Sequence, residues 1–299
     1  MTQAKALTAI AAALALAALL TGCGAQVSAT FEVVSDAESP AAFPNSVEVN
    51  GKTLALDCQG SGSPTVILES GTDDPIDFMS PIQARLADRF LVCAYERAKA
   101  TELRTATDAN DDLHALLSLA AIPGPYVLVG QSLGGELVQL YARTYPDDVA
   151  GVVAMNSGPP CGPWLAALPD LGNARLFADE TAICADNGAS RDRFDLNASW
   201  AEEGAAPAPP SIPFELVIST ADGDWCPPGD DAPAPFESRE QCLAAWAIHE
   251  GIARDIVATW PMGHFSTLDG PHPLWTAQLD AVTDLIVGVA DRGQTFQPG

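Results

Sequence analysis

The sequence predicts an α/β fold built on a mostly parallel sheet with helices on both faces. Three observations carry that expectation. Short apolar strands alternate with amphipathic helices from Val66 to Met155, and the alternation resumes at Phe214 after a break of different composition. In the middle, Tyr126-Val127-Leu128-Val129-Gly130-Gln131-Ser132-Leu133-Gly134-Gly135 reads as a buried strand, a tight Gly-x-Ser-x-Gly turn and the start of a helix. A serine at the tip of such a turn needs an unfavourable backbone conformation, and glycine neighbours let strand and helix close around it.

The chain opens with Lys5, an apolar run from Ala6 to Leu20, and Leu20-Thr21-Gly22-Cys23. A basic start, an apolar core and small residues before a boundary make a secretory signal peptide. The run is short of the ~20 residues a spanning helix needs. Leu-Thr-Gly-Cys is similar to the lipobox of bacterial lipoproteins, which implies cleavage before Cys23 and acylation of that residue. Residues 1–22 are then the signal peptide, 23–44 the lipidated cysteine and a flexible tether rich in Ala, Ser, Pro and Glu, and 45–299 the folded domain. The expected location is the outer face of the bacterial cell membrane. Of seven cysteines, six remain after Cys23, an even number suited to an oxidising compartment.

Within the domain, Val47 to Val49 and Leu54 to Cys58 alternate around Asn50-Gly51, a hairpin signal. Val66-Ile67-Leu68 is a buried strand ending in Glu69-Ser70-Gly71-Thr72, and Phe78, Met79, Ile82 and Leu86 share a helix face. Phe90 to Tyr95 is the next strand. Leu113, Leu116 and Leu117 mark a helix that starts among acidic residues, as the helix dipole favours. After the Ser132 strand and helix, Val149 to Met155 is again a strand. From about 157 to 213 the periodicity breaks and Gly, Ala, Pro and Asp accumulate, which reads as a cap insertion over one end of the sheet. Phe214 to Ser219 resumes the strands, Cys242 to Ile252 is helical, and Ile256-Val257-Ala258-Thr259 reads as a short strand. A last helix carries Trp275, Leu279, Val282, Leu285, Ile286 and Val289.

Thirty-nine acidic against 14 basic side chains give a formal charge of −25. Such a surface repels phosphate backbones and argues against a nucleic-acid partner.

A serine hydroxyl needs a base, and the base needs a partner that fixes its tautomer. Such groups gather at the carboxyl ends of the strands. His114 and His249 fall within helices, and His272 lies between two prolines. His264, in Met262-Gly263-His264-Phe265, follows the Ile256–Thr259 segment and is the expected base. Asp222 and Asp224 follow the Phe214–Ser219 strand; Asp222 ranks first as the acid and Asp224 second.

The order Ser132, Asp222, His264 resembles that of α/β-hydrolases. Val92-Cys93-Ala94-Tyr95-Glu96-Arg97-Ala98 is similar to that family's tyrosine-acid-arginine segment. Asp112 to Leu117 with Pro123 to Gly130 is similar to its lead-in to the nucleophile. Gly263-His264 with Leu268 to Pro271 resembles its histidine loop. The resemblance runs from Val47 to the last helix. Glu69-Ser70-Gly71 stands where the family commonly has His-Gly, and Gln131 where many members have histidine. The resemblance implies an eight-stranded sheet in the order 1-2-4-3-5-6-7-8. It also implies an oxyanion hole from the Thr72 and Leu133 backbone N–H groups, and no metal or cofactor. On that strand order Cys58 and Cys93 are neighbours, and the sequential pairs Cys161–Cys184 and Cys226–Cys242 follow. The implied activity is hydrolysis of small carboxylic esters, or amides, through an acyl-enzyme. Two alternatives stay open. One is an exopeptidase resembling prolyl aminopeptidases, with Asp186, Asp192, Glu202 or Glu203 holding the substrate amine. The other is a non-catalytic, lipid-anchored binding protein of the same fold.

Overall fold

The computed structural model describes residues 43–185, 192–226 and 234–295. Cys23, the expected signal peptide and nearly all of the tether lie outside the described residues, as does Asp186. The strands are β1 (Ser46–Val49), β2 (Lys52–Gly60), β3 (Thr65–Glu69), β4 (Leu91–Glu96), β5 (Tyr126–Gln131), β6 (Val149–Met155), β7 (Pro213–Ser219) and β8 (Met262–Leu268). They form one sheet in the order β1-β2-β4-β3-β5-β6-β7-β8. β2 pairs antiparallel with both β1 and β4, and the pairs from β4 through β8 are parallel. The Asn50-Gly51 hairpin forms as expected, both residues taking positive φ (51° and 75°), the geometry of a type I′ turn.

The helices are α1 (Ser80–Leu86), α2 (Ala106–Leu119), α3 (Leu133–Thr144), α4 (Cys161–Ala167), α5 (Ala174–Ala185), α6 (Leu196–Ala205), α7 (Arg239–Ala258) and α8 (Trp275–Thr295). Central strands are buried on both faces, so successive residues feed opposite cores. Ile67, Leu128, Val152 and Leu216 pack on one side. Val66, Val127, Val153 and Val217 pack on the other, against α1 and α8. This is why those strands read as unbroken apolar runs. Among the described residues no helix is long and apolar enough to cross a membrane.

Helices α4, α5 and α6 occupy the insertion. One expectation is corrected: Ile256–Thr259 is not a strand. Residues 256–258 are the last turn of α7, whose buried face runs Cys242, Ala245, His249, Ala253 at helical spacing. The true last strand, β8, begins at Met262. It is an edge strand with no fully buried residue, so its apolar pattern is faint.

Cysteine pairs sit at bonding distance for Cys58–Cys93, Cys161–Cys184 and Cys226–Cys242. Cys58 and Cys93 are register partners across β2 and β4.

Candidate active site

Ser132 stands between β5 and α3 at φ 54°, ψ −124°, a left-handed-side conformation that a non-glycine residue holds only under constraint. The constraint is visible. Its N–H donates to the Met155 carbonyl (2.9 Å), and its carbonyl accepts from Gly135 N–H (2.9 Å). A Cβ on Gly130 would come 2.2 Å from the Gly134 oxygen, and one on Gly134 would come 2.2 Å from the Glu69 oxygen. The glycines therefore let α3 start directly against the ends of β5 and β3. Leu133, the first residue of α3, has an N–H with no acceptor inside the helix. Thr72 lines the same cavity as Ser132 and Leu133.

The loop after β3 lies on Ser132. A Cβ at Gly71 would meet Gln131 Oε1 at 2.6 Å, Asp74 Oδ2 at 2.7 Å and Ser132 Cβ at 3.2 Å. Beneath this loop is a buried ionic network that the sequence did not reveal. Arg97 donates to Glu69, to the Ser70 and Gly71 carbonyls, and to Asp192 Oδ2 (2.6 Å). Tyr95 donates its hydroxyl to Glu69. Asp192 comes from the cap, also accepts from Arg104 Nη2 (3.1 Å), and accepts from Asp73 N–H (2.9 Å). Burial pushes the Asp192 carboxyl up, but Arg97, the Asp73 N–H and Arg104 outweigh it and leave it below the usual range. Burial raises Glu69, only partly offset by Arg97 and Tyr95. The Glu69-Ser70-Gly71 departure thus has a structural role: Glu69 is the counter-ion of the arginine that grips the loop carbonyls.

The structure does not bring His264 to Ser132. Gln131 is level with Met155, Met155 with Val217, and Val217 with Ser266, so His264 lies two residues below the elbow. It is also three strands away, roughly 14 Å at the usual strand spacing. Its Nδ1 is 2.9 Å from Glu215 Oε2, and two-thirds of its side chain is exposed while that of Glu215 is buried. Ser266 Oγ also donates to Glu215, at 2.6 Å. His264 is therefore a hydrogen-bond partner of a buried carboxyl on the adjacent strand. The misplaced strand at Ile256–Thr259 is the cause of the wrong expectation, since it moved the carboxyl end of the sheet upstream.

His272 lies in the loop after β8. Its carbonyl accepts from Asn156 Nδ2 (2.7 Å). Asn156 follows β6 at the level of Ser132, bonds Ser219 Oγ (2.7 Å), and accepts from Ser219 N–H (2.6 Å). One asparagine so ties the ends of β6 and β7 to the histidine loop. Burial raises the carboxyl of Asp74, which faces Gly71 and the elbow, and desolvation lowers His249, which lies under Ser157; His272 is a lesser electrostatic influence on both. His249 itself is buried, stacked on Trp225, and desolvation pushes its pKa down to about 4, while His114 stacks on Tyr145.

Asp222 does not face an imidazole through its described contacts. It is largely exposed and pairs with Arg239. The turn that carries it, Ala221–Trp225, is a π-helical turn packed on the histidine loop: a Cβ at Gly223 would lie 2.5 Å from Gly270 N. Asp224 is in the same turn, and its side chain lies outside the described residues. The Cys226–Cys242 bridge pins the turn to α7.

Ser132 opens into a cavity of about 200 Å³ under the cap. A larger hollow of about 510 Å³, between α4, α6 and α7, does not include the serine. The cap carboxylates considered for an amine are differently engaged. Asp192 belongs to Arg97 and Arg104, Glu202 accepts from Thr107 N–H (3.0 Å), and Glu203 lines the larger hollow. Among the described residues no group of three or more His, Cys, Asp or Glu is placed to hold a metal.

Residues 52–181 match a family model described as the alpha/beta hydrolase fold. A curated relative, the 2-(acetamidomethylene)succinate hydrolase of Mesorhizobium japonicum, is 30% identical over 134 residues, 43% of this chain and 48% of the relative. The chain spans less than half the length of the curated relatives it matches. Among solved structures, a thermophilic esterase from Thermogutta terrifontis superposes at TM-score 0.51 with 18% identity, covering 83% of this chain and 98% of the esterase. An enol-lactonase from Burkholderia xenovorans superposes at 0.52 with 17% identity, covering 82% and 98%. Strand order, elbow and these likenesses agree, and the chain has the α/β-hydrolase fold.

Proposed function

We propose that the protein is a serine hydrolase that cleaves small carboxylic esters, or amides, through an acyl-enzyme. Ser132 Oγ attacks the carbonyl carbon while His272 takes its proton. The oxyanion is held by the Leu133 and Thr72 N–H groups, aimed at charge that develops only in the transition state. His272 then protonates the leaving alcohol or amine, and water deacylates Ser132 by the reverse route. The acid that orients His272 is assigned to Asp224, because Asp222 is committed to Arg239 and the turn holding both lies against the histidine loop.

The observation that carries this function is Ser132 itself: held at φ 54° and opening into a cavity. Cap anchors for an exopeptidase are less favoured, since Asp192 and Glu202 already have partners. Labelling by a fluorophosphonate probe tests the proposal. Wild type should be labelled and Ser132→Ala should not; an unlabelled wild type favours the non-catalytic binding protein.

Export and lipid attachment at Cys23 belong to the same proposal and rest on the Leu20-Thr21-Gly22-Cys23 motif. Cys23→Ala should move the protein from the membrane to the soluble fraction of a bacterial host. Retention of the variant on the membrane would overturn lipid anchoring.

A further inference from the structure

The cavity at Ser132 is lined by Glu136 from α3, Glu180 from α5, Trp164 from α4 and Trp200 from α6, with apolar Ile183 and Leu196. Among the described residues no lysine or arginine lines it. Glu136 is in the first turn of α3, the helix that Ser132 precedes, and lines the same cavity. Its described partner is the Gly158 N–H, and the nearest ionisable influence on it is Glu203, another carboxylate. Glu180 accepts from Trp164 Nε1 (2.9 Å). Burial raises the pKa of both carboxyls, that of Glu136 well above the usual range, with Glu203 adding to the effect. A desolvated carboxylate without a counter-ion is costly, and either a proton or a ligand cation relieves the cost.

Resting on the assignment of Ser132 as nucleophile, we propose that this cavity takes substrates bearing an ammonium group, seated among Glu136, Glu180, Trp164 and Trp200. The two carboxylates alone would not make a site. What distinguishes them is that they share one cavity with the nucleophile and with two indoles, the aromatic groups that attract cations most strongly, and that no cation lines it among the described residues. Glu180 and Trp164 come from two elements, α5 and α4, that the Cys161–Cys184 bridge joins, and both cysteines line the cavity. A chain of formal charge −25 also draws cations towards its surface. Glu136 is thus a specificity-determining residue, and an amine-bearing substrate is met on α3 and α5 rather than at the cap aspartate.

Calorimetric binding of choline and of its uncharged isostere, 3,3-dimethylbutan-1-ol, tests this on the full-length protein. Choline should bind at least about tenfold more tightly than the isostere, and Glu136→Gln should bring the ratio towards one. Glu180→Gln should narrow it too, so the test does not depend on one variant folding. A ratio near one in wild type, including no binding by either compound, would overturn the inference, as would a ratio unaffected by both variants. Fluorophosphonate labelling of the same samples separates the two levels. Labelled Ser132 without choline preference removes the cation site and keeps the hydrolase; choline preference with Ser132 unlabelled does the reverse.

Discussion

His272→Ala should lower kcat/KM for an activated ester by roughly 10⁴- to 10⁶-fold, while His264→Ala leaves turnover near that of wild type. The difference follows from the sheet. A base must reach the serine proton within about 3 Å. His264 is two residues below the elbow and three strands away, with its Nδ1 on Glu215. His272 is held by Asn156 at the level of Ser132. His264→Ala should instead appear as lost stability, about 1–3 kcal/mol, because buried Glu215 keeps only the Ser266 donor. Rates measured beside urea unfolding curves decide the matter, and a collapse of activity in His264→Ala with His272→Ala active would reverse the assignment. In the same series Asp224→Asn should cost far more rate than Asp222→Asn, whose carboxylate serves Arg239.

Arg97→Ala should destabilise the fold by about 3–5 kcal/mol. The side chain is 5% exposed and pairs with Glu69 and Asp192, which are 1% and 7% exposed. Removing it leaves one core carboxylate with a tyrosine hydroxyl and the other with Arg104, and deprives two loop carbonyls of a donor. Lysine cannot replace it, because a single ammonium lacks the planar fork that reaches Glu69, Asp192 and both carbonyls. Arg97→Lys should therefore recover only part of the loss. Arg97 also holds the loop that presents Thr72, so the folded fraction of either variant should turn over more slowly; loss of one oxyanion donor costs about 10²- to 10³-fold. A urea midpoint within error of wild type for Arg97→Ala would refute the network's role.

Ser132 was legible because its turn is encoded locally: strand, glycines and helix lie within ten consecutive residues, and the backbone strain needs all of them. The buried central strands were legible for a similar reason, since burial on both faces leaves unbroken Val, Ile and Leu runs. The disulfide pairs followed once the strand order was supposed. β8 was not legible. As an edge strand it carries Gly, His, Ser and Thr, while the end of α7 carries Ile256-Val257, a β-like pair that helix packing overrides. That single misreading moved the expected carboxyl end of the last strand to Thr259 and made His264 the expected base. The arginine network was hidden because Glu69, Arg97 and Asp192 are far apart in the chain and meet only across the sheet and the cap. Glu136 was hidden because one acidic residue on an amphipathic helix looks solvated until a cap is laid over it.

The sequence by itself therefore determined the sheet, the elbow and the identity of the serine, since these depend on periodicity and on conformations that neighbouring residues impose. Only the tertiary structure decided which histidine stands at the carboxyl edge and what lines the cavity. Those depend on where strands end and which distant side chains meet, and register across strands is not written in any one of them.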